Sequence, residues 1–207
     1  MGLETALFSL VILIFSVVIH EVSHGIIAEK LGDPTARLAG RLTLNPLPHI
    51  DPFSSVLLPL FLLLVNSPVL FGAAKPVPVN YSNLRNPRRD MALVALAGPG
   101  ANLLLAFFCA LPVRFGLLPA ESAGGGFLLQ VVVLNLVLAI FNLVPIPPLD
   151  GSKILARFLP DRYLPILFSL EQYGFFIIII LIYSGFFQYI IFPILKFLLY
   201  LLLGAQL

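Results

Sequence analysis

The chain has 207 residues, of which 59% are hydrophobic and 11% are charged. Soluble domains carry about 45–50% apolar and about 25% charged residues, so this chain cannot coat a water-soluble monomer with polar surface, and its apolar content equally excludes disorder. Twelve basic against ten acidic residues give a formal net charge of +2, which offers no basis for nucleic-acid binding and leaves an integral membrane protein of one domain, residues 1–207.

Apolar runs set the expected architecture, because a helix needs about 20 apolar residues to cross a bilayer. They cover Leu3–Lys30, Phe53–Phe71, Met91–Leu111, Phe127–Val144, Leu164–Tyr183 and Phe187–Leu203. The first run reads as a retained helix rather than a cleaved leader. Met1–Thr5 holds no Lys or Arg, and no small-x-small site follows the apolar stretch. The lone Cys109 lies inside an apolar run and reads as a small hydrophobe. Proline-rich stretches at Asn45–Pro52, Lys75–Pro78 and Pro145–Pro148 mark loops. Arg37–Leu44 reads as a short β-strand and Ala73–Val79 as another extended piece. The expected class is an all-α polytopic membrane protein of five to six transmembrane helices. It includes short strands, and a re-entrant segment between the first helix and the Met91–Leu111 helix.

The first run contains His20-Glu21-Val22-Ser23-His24. On a helix, residues i and i+4 share a face, so both imidazoles can reach one cation. Two neutral imidazoles bind Zn²⁺ well, and a glutamate between them can take a proton from an activated water; H-E-x-x-H is the zincin signature. Each ionisable residue in an apolar helix costs about 2–3 kcal/mol at mid-membrane when unpaired, which makes a functional intramembrane site the default reading. Two histidines do not complete a catalytic zinc site, which takes three protein ligands. Asp150 ends the fourth run in Asn142-Leu-Val-Pro145-Ile-Pro-Pro148-Leu-Asp150-Gly151. Read locally, Asp150-Gly151 is equally an ordinary surface turn.

The chain resembles the site-2 protease-type intramembrane metalloproteases, peptidase family M50. The resemblance rests on His20-Glu21-x-x-His24, on Ala97-Gly98-Pro99-x-x-Asn102, and on Asn142-x-x-Pro145-x-x-Pro148-x-Asp150-Gly151, in that order across roughly residues 10 to 160. It implies that His20, His24 and Asp150 hold one zinc ion and that Glu21 is the catalytic acid/base. It also implies that Asn142 holds substrate or the oxyanion. The form is compact, without the PDZ insertion or cystathionine-β-synthase-type domains of some relatives. A catalytic core of about residues 3–160 would be followed by accessory helices at 164–204. The implied activity is hydrolysis of peptide bonds in or near transmembrane segments of membrane-protein substrates. A substrate helix must unwind before attack, and an extended edge at 37–44 or 73–79 would bind it by β-addition.

A shared zinc demands that the first and fourth runs be parallel. That holds if Phe53–Phe71, with Pro59 and Pro68, dips in and returns rather than spanning. In that topology Lys30, Arg37, Arg41, Lys75, Arg85, Arg88, Arg89, Lys153, Arg157 and Arg162 share one face, ten of the twelve cations. The positive-inside rule makes that face cytoplasmic, so the expected location is the cell membrane of a prokaryote with the active site near the cytoplasmic boundary and the N-terminus outside. Expected partners are the lipid bilayer and a transmembrane protein or peptide. His49 and Asp51 form a second polar cluster, read as a turn or a helper of the site. The rivals are a metal transporter or sensor and a non-catalytic protease-like scaffold. The first needs polar residues along several helices, which the last two runs hardly supply. The second would usually have lost Glu21 or a ligand.

Overall fold

The computed structural model describes residues 3–51, 57 and 75–204. Helix α1 covers Leu3–Lys30 and the one-turn helix α2 Thr35–Leu38, while α3 covers Pro87–Arg114 and α4 Ala123–Asn142. Beyond them lie α5 (Asp150–Ala156), α6 (Leu164–Ser169), α7 (Gly174–Tyr183) and α8 (Phe192–Leu203).

Local chemistry sets these boundaries. Lys30 in the last turn of α1 faces the negative end of the helix dipole. Gly32, at φ +116°, then turns the chain in a conformation that side-chain-bearing residues rarely adopt. Helix α3 opens with Pro87 in its first turn, where the missing N–H costs nothing. The buried Asp90 carboxylate accepts the Asn86 N–H at 2.8 Å. The N-cap of α4 is Ser122, whose hydroxyl accepts from Gly125 N–H at 3.0 Å.

Side-chain bonds fix how the long helices run. Along α3, Val94 meets His24 and Asn102 meets His20, so α3 is antiparallel to α1. Along α4, Gln130 bonds Ser9 and Asn135 bonds Ser16, so α4 is parallel to α1. Small residues let the backbones approach: Ala92, Ala95, Ala106, Ala110 and Ala139 are all buried. One apolar core joins α3, α4 and α8 through Ala106, Val113, Val132, Leu136, Ile140 and Leu195. A smaller one joins α1, α3, α5 and α6 through Ala28, Met91, Val94, Ala156 and Leu167. The outer faces carry exposed Phe8, Phe15, Leu104, Phe108 and Ile180, as a lipid-facing surface should.

Two expectations need correction. Among the described residues there is no β-strand. At 38–41 the backbone donors are consumed locally. Leu38 and Ala39 N–H bond Pro34 and Thr35 oxygens, Gly40 reverses the chain at φ +64°, and Arg41 N–H returns to Ala36 O. At 75–79 the chain is irregular. Pro76 and Pro78 have no N–H, the Val77 N–H goes to Glu21, and the Arg41 guanidinium occupies the Lys75 carbonyl at 2.7 Å. No ladder can form from such a segment. The second correction concerns the spans. The described residues hold three helical stretches long and apolar enough to cross a membrane, Phe8–Lys30, Pro87–Arg114 and Ala123–Asn142. The expected Leu164–Tyr183 helix is bent by 79°, giving four spans if the bent pair counts as one. The break is a 3₁₀ turn at Leu170–Tyr173, followed by Gly174, where a Cβ would lie 2.7 Å from Pro148 Cδ. The expected re-entrant segment Phe53–Phe71 lies outside the described residues, apart from Leu57.

Candidate metal centre

His20 and His24 occupy successive turns on one face of α1, and their rings meet edge to face at 4.6 Å between centroids. Asp150 is the first residue of α5, delivered by the tight turn that follows α4. Its Oδ2 lies 3.1 Å from His20 Nε2 and 3.2 Å from His24 Nε2. The three ligand atoms fall within 4.8 Å of one another, and all three residues are buried. The parallel run of α1 and α4 is what brings these distant parts of the sequence to one depth.

The donor set fits a cation. The Nδ1 of His24 faces the Val94 carbonyl at 2.7 Å and the Nδ1 of His20 faces Asn102 Oδ1 at 2.6 Å. Both oxygens accept, so each ring carries its proton on Nδ1 and turns the Nε2 lone pair toward Asp150. Two lone pairs and a carboxylate oxygen at 3.1–3.2 Å repel unless a positive charge sits among them. Two imidazole nitrogens and one carboxylate oxygen form a ligand set of the catalytic-zinc type.

Two glycines make room for this cluster. A Cβ on Gly98 would lie 2.5 Å from the Nε2 of both histidines. Gly151 is required by proximity rather than by turn conformation, because a Cβ there would lie 2.3 Å from the Leu143 carbonyl oxygen and 2.4 Å from that of Val144.

The cluster opens on a cavity of about 300 Å³ whose lining includes Glu21, Asn142, Val77, Tyr81 and Lys153. Glu21 Oε2 accepts the Val77 N–H at 2.8 Å, which orients the carboxylate beside the histidines. Asn142, at the end of α4, bonds back to the Leu138 carbonyl at 2.9 Å while lining the cavity. His49 stands apart from the metal cluster. It is buried, its Nε2 lies 3.0 Å from Thr43 O, and its own carbonyl accepts from Lys75 N–H at 2.9 Å, so it pins the loops together.

Sequence reasoning missed Lys153, Tyr81 and Val77. Lys153 sits one turn after Asp150, with Nζ 3.8 Å from Asp150 Oδ1, and lines the same cavity as Tyr81. Burial pushes its ammonium down, but Tyr81, Asp150, Glu171 and Glu21 outweigh burial and hold it above the ordinary lysine value. The i, i+3 spacing from Asp150 was the available signal. Nothing in the sequence marks Tyr81 or the backbone of Val77.

The loops around the site are tied by Asp33, which is fully buried. It accepts from Thr35, from the Asn80 N–H at 2.7 Å and from Asn83 Nδ2 at 2.8 Å. Burial pushes its carboxyl up, and these bonds more than reverse that, leaving it below its ordinary value.

Comparison with known proteins agrees with this chemistry. The profile of peptidase family M50 matches residues 118–185. YwhC of Bacillus subtilis (strain 168), named a zinc metalloprotease, is 38% identical over 91% of this chain and 86% of its own length. Rip2 of Mycolicibacterium smegmatis, also named a zinc metalloprotease, is 31% identical over 82% of this chain, which spans 64% of that relative. Rip2 of Mycobacterium tuberculosis H37Rv is 36% identical over 66% of this chain and 51% of its own length. No solved structure matches. The chain is therefore an integral membrane zinc metalloprotease belonging to peptidase family M50.

Proposed function

We propose that the protein is an intramembrane endopeptidase in which His20, His24 and Asp150 hold the zinc ion and Glu21 is the catalytic acid/base. The observation that carries this reading is the convergence of two imidazole Nε2 atoms from inside a candidate span on one Asp150 oxygen, at 3.1 and 3.2 Å. Bound zinc supplies a Lewis acid that polarises a carbonyl and acidifies water. Glu21, held through one oxygen by Val77, takes a proton from the attacking water. Water oxygen then bonds to the peptide carbonyl carbon, the C–N bond breaks, and Glu21 returns the proton to the leaving amine. Asn142 lines the cavity, where its amide can hold the substrate or the developing oxyanion.

The substrate is a peptide bond in or near a transmembrane segment, a reading supported by the position of His20 and His24 within the Phe8–Lys30 span. Its helix must unwind locally, since helical peptide groups are already hydrogen-bonded. The site lies near the cytoplasmic boundary of a prokaryotic cell membrane. Ten of the twelve cations lie from the last turn of α1 to the first turn of α3, Lys30 to Arg89, or between Lys153 and Arg162 after α4, at the end of the bundle where the site lies, and positive charge accumulates on the cytoplasmic side. The test compares wild type with Glu21→Gln in proteoliposomes, measuring bound zinc and cleavage of a transmembrane substrate. The expected result is retained zinc with cleavage abolished. Full cleavage by a zinc-loaded Glu21→Gln protein overturns the assignment of Glu21.

A further inference from the structure

Both histidines must present Nε2 to the metal, but they are held in different ways. His24 Nδ1 bonds the Val94 backbone carbonyl, which cannot be anything but an acceptor. His20 Nδ1 bonds the side-chain amide of Asn102, and an amide can flip. A flipped Asn102 would offer N–H to His20, move the ring proton to Nε2 and abolish the lone pair that a metal needs.

The bonds around Asn102 oppose that flip. The Asn135 amide nitrogen, on α4, donates to the Val131 carbonyl at 2.9 Å and to Ser16 Oγ at 2.9 Å. The Val131 carbonyl can only accept, so the amide oxygen of Asn135 is turned toward α3. There it accepts from Asn102 Nδ2 at 2.7 Å, and that same nitrogen donates to the Ser16 carbonyl at 3.2 Å. Asn102 is then left with its oxygen toward His20, at 2.6 Å. Asn102 and Asn135 are fully buried and Ser16 nearly so, which makes an unpaired polar group here costly. Every direction in the chain follows from two backbone carbonyls, Val131 and Ser16.

We infer that Asn135 is a positioning residue: acting through Asn102, it fixes His20 as the Nδ1–H tautomer and so prepares Nε2 for the metal. This rests on the assignment of His20 as a zinc ligand. Asn102, bonded directly to His20, is the kind of ligand partner that typically carries ten- to hundredfold in affinity, and Asn135 acts through it.

The test uses the full chain in lipid nanodiscs, with the histidine tautomers read by ¹⁵N–¹H correlation in the zinc-free protein and zinc affinity read by chelator competition. Wild type should show His20 protonated on Nδ1. Asn135→Leu should mix the His20 tautomers, leave His24 unchanged and weaken zinc about ten- to hundredfold. Adding Asn102→Asp to Asn135→Leu should restore the His20 Nδ1–H tautomer, because either carboxylate oxygen accepts from Nδ1–H; a merely structural role for Asn135 would not be rescued this way. If Asn135→Leu does not fold, Asn135→Ser replaces it, being too short to hold Val131 and Asn102 together. The inference is overturned if a folded Asn135 variant keeps the His20 tautomer and wild-type zinc affinity, or if the double variant folds without recovering that tautomer. Failure of the ligand assignment reads differently. Asp150→Ala or His20→Ala would then keep zinc, while the tautomer spectra of zinc-free protein still report on Asn135.

Discussion

Gly98→Ala places one methyl group against the metal centre. The added Cβ would sit 2.5 Å from His20 Nε2 and from His24 Nε2, where ordinary contact begins near 3.4 Å. About 0.9 Å must therefore be found by moving α3 or turning both rings. Metal sites tolerate errors of about 0.2 Å in ligand position, so the displacement is several times the tolerance. Zinc affinity should fall about a hundredfold or more, and overpacking should cost about 1–3 kcal/mol of stability. Gly100→Ala is the matched control. It lies on the same helix with nothing within 4 Å of its added Cβ. It should bind zinc as wild type does and gain up to about 1 kcal/mol from helix propensity. Chelator competition and thermal melting of both variants decide the matter. Equal zinc affinity in the two would refute the reasoning about the α1–α3 approach.

Other outcomes follow from the same geometry. Gly151→Ala should lower zinc affinity, because its Cβ would strike the Leu143 and Val144 carbonyls and push Asp150 away from the histidines; metal titration checks it. Lys153→Met removes the cation 3.8 Å from Asp150 Oδ1 and should weaken zinc or slow cleavage about tenfold, with Lys153→Arg recovering part of the loss. Asp33 has a folded-state pKa below its ordinary value, so its stabilisation is complete above that ordinary value and is lost as pH falls through the folded one. Asp33→Asn should remove that acid-side loss and cost about 1–3 kcal/mol near neutral pH, since an amide N–H would replace an acceptor oxygen; melting curves against pH test it.

That His20 and His24 share a face was legible in the sequence because helical spacing is local: four residues apart is one face, whatever surrounds the helix. Asp150 was not legible in that way. Its local pattern reads equally as a turn, and only the resemblance, and then the parallel run of α1 and α4, joins it to His20. The strand expected at 37–44 and the extended piece expected at 73–79 give no β-strand among the described residues, for reasons visible only in three dimensions. One segment spends its N–H groups on its own turn, and the other gives its Val77 N–H to a glutamate 56 positions away. Asn135 shows the limit most plainly. An asparagine in an apolar run marks a buried polar contact, but its partners Ser16 and Asn102 lie on two other helices. The last apolar runs supplied enough length for spans, yet length alone does not reveal the 79° bend before Tyr183.

The central claim is the identity of the zinc ligands, and X-ray absorption at the zinc edge tests it most directly. The account predicts about one zinc per chain in a shell of two imidazole nitrogens at about 2.0–2.1 Å with oxygen for the remainder, and loss of that shell in Asp150→Ala. A shell containing sulfur, which Cys109 alone among cysteines could supply, or an unchanged shell in Asp150→Ala, would contradict it.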